Sequence, residues 1–98
     1  MSDFELNDLG GGNFAITGDM SFETAEYILR ASQRAFEQHN NVRVDMSAVK
    51  KADSAGLGLL LEWMSWAKQG MVKIDFVAIP PSILAIAQTA ELENLVSN

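Results

Sequence analysis

The sequence predicts an α/β fold: a mixed sheet of about four strands with its helices packed largely on one face. Three stretches carry that expectation. Phe4 to Thr17 contains two short alternating segments joined through consecutive glycines, as in a β-hairpin. Val42-Arg43-Val44 opens a β-branched run that ends in a polar turn at Asp53-Ser54, and an apolar stretch of helical length follows. Val72 to Val77 alternates again, and Pro80-Pro81-Ser82 then starts another apolar segment. Strand-helix alternation after an opening hairpin implies parallel pairs joined by helical crossovers. Periodicity alone does not separate this arrangement from other small α/β sandwiches.

Taken in order, Phe4, Leu6 and Leu9 alternate with polar residues and predict a half-buried strand. Gly10-Gly11-Gly12-Asn13 turns it into a second strand, Phe14-Ala15-Ile16-Thr17. A glycine run also occurs in phosphate-binding loops, but the Lys-Ser/Thr ending is missing and a strand follows, so a hairpin turn is the reading. Gly18-Asp19-Met20-Ser21 leads into the first helix, with Ser21 as its N-cap and Glu23 and Glu26 near its positive end. Ala25, Ile28, Leu29, Ser32 and Phe36 share one face at helical spacing, so this helix covers a sheet. Its end, Gln38-His39-Asn40-Asn41, holds the chain's one histidine, expected to be solvated because no second histidine or carboxylate adjoins it.

The central unit runs from Val42 to Trp63. Asp and Ser best accept hydrogen bonds from the free N–H groups of a first helical turn, so Asp53 or Ser54 caps a second helix that reaches about Gln69. The Ser54 hydroxyl then lies at the positive end of a helix dipole, and Gly56 and Gly58 leave the approach open. Local physics alone makes Ser54 a cap. Along this helix Leu57, Leu60, Leu61, Met64 and Ala67 form one face, and Leu59, Trp63 and Trp66 a second stripe that the same sheet cannot cover. That stripe either packs on a neighbouring helix or awaits a partner, while Glu62 and Ser65 mark the side in water. Gln69-Gly70 closes the helix, Val72, Ile74 and Phe76 face one way from the next strand, and Ile83 to Gln88 form a third helix. Leu92, Leu95 and Val96 are expected to fold back as a short closing segment.

Composition bounds the function. A chain of 98 residues, 48% hydrophobic and 20% charged, suits one soluble domain. The absence of cysteine excludes disulfides and thiolate metal sites and fits a reducing compartment. Seven basic residues against thirteen acidic ones give a net charge of −6, which repels phosphate backbones and anionic lipid, so nucleic acid is not an expected partner. No apolar run approaches the roughly 18–20 residues that span a bilayer, and Met1-Ser2-Asp3-Phe4-Glu5 has no signal-peptide character; the chain is expected in the cytoplasm. With one histidine and no paired carboxylates in its motifs, it offers no assembled nucleophile, metal cage or cofactor loop, so the expectation is a non-catalytic binding module without cofactor.

Asp45-Met46-Ser47-Ala48-Val49 followed by Asp53-Ser54-Ala55-Gly56-Leu57 resembles the signature of STAS domains, named for sulphate transporters and anti-sigma factor antagonists. In that signature a strand ends Asp-x-Ser-x-Val, a short loop follows, and Asp-Ser-x-Gly-Leu opens an apolar helix. Thr17-Gly18 and Thr24-Ala25-Glu26 are similar to the family's second strand and first helix. The resemblance spans essentially residues 1–98 and implies a single domain with the STAS, anti-sigma factor antagonist-like fold.

Two branches of the family imply different partners. In antagonists the serine matching Ser54 is phosphorylated by a partner kinase that also holds a sigma factor. In the other branch a very short STAS protein is an accessory subunit on the cytoplasmic ATPase of an ABC transporter that moves phospholipid between the membranes of Gram-negative bacteria. The short length, the wording from Ala52 to Trp63 and the ending Leu92-Glu93-Asn94-Leu95 resemble that subunit. Antagonists commonly carry an acidic residue at the position of Ser21 and a second serine at that of Ala55, and both are absent here. The expectation is therefore a regulator of the transporter ATPase, cytoplasmic or peripheral at the inner membrane and without direct membrane insertion, with the anti-sigma antagonist as alternative. Its partner surface is expected to comprise Ser54, as interface hydroxyl or phospho-acceptor, with Asp53, Ala55, Gly56, Ser21, Leu59, Glu62, Trp63 and Trp66.

Overall fold

Residues 3–92 are described by a computed structural model. The elements run β1 (Phe4–Gly10), β2 (Asn13–Met20), α1 (Ala25–Phe36), β3 (Asn41–Ala52), α2 (Ser54–Gly70), β4 (Lys73–Val77) and α3 (Pro81–Thr89). The sheet order is β1-β2-β3-β4, with β1 antiparallel to β2 and the other two pairs parallel. Both parallel steps move the same way across the sheet. Right-handed crossovers in one direction lay α1 and α2 on the same face, which is the mixed, one-sided α/β architecture expected from the sequence.

Strand alternation sorts the side chains accordingly. Phe14, Ile16 and Met20 of β2 and Val42, Val44 and Met46 of β3 are buried under the helices, while Arg43, Lys73 and Asp75 point to solvent on the other face. An aromatic chain ties the layers together: the Phe14 and Phe36 ring centroids are 4.9 Å apart, Phe36 and Trp63 5.7 Å, and Trp63 and Phe76 6.2 Å. β4 behaves as expected for an edge strand, with Ile74 and Phe76 half-buried and Lys73 and Asp75 exposed.

Several local expectations need correction. The first hairpin contains a β-bulge between Asp8 and Gly10, where Asp8 Oδ1 accepts from the Gly10 N–H at 2.8 Å, and Leu9 is left outside the core. Gly12 is required at the turn: its φ is +86° and a Cβ would lie 2.2 Å from the Asn41 carbonyl oxygen. β3 does not give way to a loop after Val49 but continues to Ala52. Its register against β2 shifts twice, so Met46-Ser47 and Lys50 are accommodated as bulges. The first is held by Asp45, whose Oδ1 accepts from the Ser47 N–H at 2.8 Å. This hydrogen bond from the Ser47 backbone, helped by the Ser47 hydroxyl and by Arg43, holds the Asp45 carboxyl below its usual range.

α1 begins at Ala25 rather than just after Ser21, because Ser21 to Thr24 close a separate turn in which the Ser21 N–H donates to Thr24 Oγ1 at 2.9 Å. α2 closes at Gly70 as expected, but the left-handed cap that follows is Met71 (φ 57°) rather than a glycine. His39, half-buried, lies edge-on to Phe14 with centroids 5.7 Å apart. Leu92 packs half-buried on the core, whereas Leu95 and Val96 lie outside the described residues. Among the described residues no helix is long and apolar enough to cross a membrane.

Candidate functional site

The start of α2 is built around Asp53. Its extended backbone sets it as the N-cap, with Oδ1 accepting from the Ala55 N–H at 2.9 Å. The other carboxylate oxygen, Oδ2, accepts from the Phe22 N–H at 3.1 Å, so one side chain caps α2 and fastens the β2–α1 turn to it. That division of labour releases Ser54. It is the first residue of α2, exposed, and its hydroxyl makes no hydrogen bond among the described residues.

The glycines of this segment differ in kind. A Cβ at Gly56 would stand 2.8 Å from Ile83 Cδ1 and 3.1 Å from the Met20 carbonyl oxygen, so its lack of a side chain lets α2 close onto β2 and α3. Gly58 is exposed with nothing within 4 Å of its would-be Cβ. A mid-helix glycine costs about 1 kcal/mol relative to alanine, and packing within the domain does not account for this one. Ser54, Gly58 and, towards α1, Glu62 are exposed along α2, an open helix face with small residues at its start.

The expected partner residues separate on burial. Ser54 and Glu62 are exposed, and Asp53, Ala55 and Trp66 are half-buried. Ser21, Gly56, Leu59 and Trp63 are buried, the last three as core rather than as a surface stripe. Trp63 is 1% exposed and its indole N–H donates to Ser32 Oγ at 2.8 Å. The reason is rotational: the inward side of α2 centres on Gly56, Leu60, Trp63 and Ala67, so Leu59 joins it, while Leu61 and Met64 fall on a half-exposed flank. Trp66 lies at the α1 border, its ring 6.0 Å from that of Phe36. Ser21 turns inward, donating from Oγ to Glu23 Oε2 at 3.0 Å. Conversely, Phe22 is 85% exposed beside the α2 N-terminus. Periodicity passes it over because it precedes α1; its signal in the sequence is a lone aromatic between Ser21 and Glu23.

Among the described residues no group of three or more histidine, cysteine or acidic side chains could hold a metal ion. Chemically, the face offers a free hydroxyl at a helix N-terminus, an exposed phenyl ring and carboxylates.

The family profile described as "Mlab, STAS domain" matches residues 10–97. The chain belongs to the STAS family. No curated protein matches it in sequence. Among solved structures, this STAS domain is similar to the anti-sigma factor antagonist SpoIIAA in its unphosphorylated form, at 19% identity and a TM-score of 0.70, covering 93% of this chain and 83% of that one. The Bacillus cell fate determinant SpoIIAA in the phosphorylated form is similar at 19% identity and a TM-score of 0.69, covering 93% and 86%. A sulfate transporter family protein from Wolinella succinogenes follows at 14% identity and a TM-score of 0.66, covering 93% and 76%. At these identities the likeness concerns the fold, which is that of the SpoIIAA-like STAS domains.

Proposed function

We propose that this chain, a single STAS domain over residues 1–98, is a non-catalytic interaction subunit that binds and regulates the cytoplasmic ATPase of a phospholipid ABC transporter. It works in the cytoplasm, peripheral to the inner membrane through that complex. The observation that carries the reading is the exposed hydroxyl of Ser54, which makes no hydrogen bond among the described residues, on a helix already capped by Asp53. A side chain the fold does not use, beside the open Gly58, suits a small uncharged contact at a packed protein interface. The family profile, the wording from Ala52 to Trp63, and Ser21 and Ala55 in place of an acidic residue and a second serine support this branch.

The second reading is an anti-sigma factor antagonist switched by phosphorylation of Ser54. It is favoured by the accessibility of that hydroxyl and by likeness to a fold solved in phosphorylated and unphosphorylated forms. Mixing the purified chain with the ATP-binding protein encoded beside it, then measuring complex formation and intact mass, separates the two. A stable unmodified complex that survives Ser54→Ala and is weakened by Ser54→Asp is expected. Stoichiometric addition of one phosphate at Ser54 would sink the transporter assignment.

A further inference from the structure

We propose that Phe22 is the aromatic anchor of the docking face, and that the partner receives it in an apolar pocket ringed by lysine or arginine. This rests on the docking function proposed above and adds to it the chemistry of the contact.

The first ground is presentation. Phe22 is 85% exposed and stands outside the buried cluster, yet the turn that carries it is fastened at every side. Its own N–H donates to Asp53 Oδ2 at 3.1 Å; the Ser21 N–H donates to Thr24 Oγ1 at 2.9 Å, and Thr24 Oγ1 donates to the Asp19 carbonyl at 2.9 Å. Ser21 and Thr24 are themselves buried. Three buried or paired neighbours thus fix the backbone from which a large apolar ring projects into water, so the turn itself loses little freedom when the ring is received elsewhere.

The second ground is charge. Glu23 adjoins the ring, Asp53 holds its backbone, and Glu62 lies two turns along the exposed side of α2; none of the three forms an ion pair among the described residues, where Arg30–Glu26 at 2.7 Å is the only one. Lys50 and Lys51, exposed at the end of β3, are the nearest basic residues in sequence; on a chain of net charge −6 the carboxylates still disfavour two other occupants. A second copy would set carboxylates against carboxylates across a two-fold contact, and an anionic lipid surface would be repelled. A basic protein surface is complementary.

The test is titration of the full chain with the transporter ATPase subunit, in wild-type, Phe22→Ala, Glu62→Lys and Asp75→Lys forms, at low and high salt. Asp75 lies on the opposite face of the sheet and serves as control. Phe22→Ala should retain the wild-type melting curve and lose at least about 30-fold in affinity, equivalent to about 2 kcal/mol. Glu62→Lys should slow association several-fold and flatten its salt dependence, and Asp75→Lys should do so less. If the wild-type chain binds and Phe22→Ala binds within about 3-fold of it, the anchor is refuted while the docking function stands. An association rate indifferent to salt and to Glu62→Lys refutes the basic partner surface. No complex with the wild-type chain refutes the docking function, and this inference with it.

Discussion

Replacing Ser32 by alanine tests whether Trp63 is core. Ser32 is 0% and Trp63 1% exposed, and the indole N–H has the Ser32 hydroxyl 2.8 Å away as its acceptor. Ser32 in turn donates to the Leu29 carbonyl at 2.8 Å. Ser32→Ala removes the acceptor and strands a buried N–H, at a cost of about 1–3 kcal/mol. With an unfolding entropy of about 2.1 cal/mol/K per residue, 1 kcal/mol moves the midpoint of a chain this size by about 5 °C, so the melting temperature should fall by about 5–15 °C. Trp63→Phe removes the donor, leaving the Ser32 hydroxyl still bonded to Leu29 and a cavity where the larger ring was. In the double variant the stranded N–H no longer exists, so the two effects should sum to less than their separate values by about 1 kcal/mol or more. Thermal and urea denaturation followed by circular dichroism on all four proteins measures this. Strict additivity, or Ser32→Ala melting with the wild type, would refute the buried bond between Ser32 and Trp63.

Three further outcomes are expected. Ser54→Ala should leave stability within about 0.5 kcal/mol of wild type, whereas Asp53→Ala should cost about 1–2 kcal/mol by removing the α2 cap, and should also increase amide exchange at Phe22; urea titration and hydrogen exchange check both. Gly58→Ala should stabilise the free chain by up to about 1 kcal/mol through helix propensity, while Gly56→Ala should destabilise it by driving a methyl against Ile83 and the Met20 carbonyl, a contrast that thermal melts of the pair resolve. Asp45 is held ionised by the Ser47 N–H, so its depressed carboxyl contributes stability above its unfolded value that is lost as pH falls through the folded one; Asp45→Asn should therefore flatten the acid limb of the stability profile, and an unchanged limb in acid titration would refute that role.

Much of the architecture is legible along the chain because it depends on local rules. The glycine run marks the hairpin, the β-branched run at Val42 to Val44 a buried strand, Asp53-Ser54 a helix start, and Pro80-Pro81 another. Alternating strands and helices, with the right-handedness of crossovers, then leave little choice but helices on one face of a mixed sheet. What escapes is whatever depends on neighbours distant in sequence. The bulges that prolong β3 to Ala52 exist because β2 and β3 differ in residue count over the same length, which neither strand shows alone.

The same division governs the site. Residue types alone place a helix start at Asp53-Ser54, since capping is a contract between adjacent residues. It could not say which residue caps, because Asp53 also receives the Phe22 N–H, a partner 31 positions away. It could not orient α2 either: Leu59, Trp63 and Trp66 form an apolar stripe as plausible outside as inside, and only the placement of Ser32 and Phe36 on α1 draws Trp63 into the core and Trp66 to its border. Phe22 is the converse case, an apolar residue that the turn from Ser21 to Thr24 turns outward. Hydrophobicity states what a side chain would gain by burial; tertiary packing alone decides which side chains obtain it.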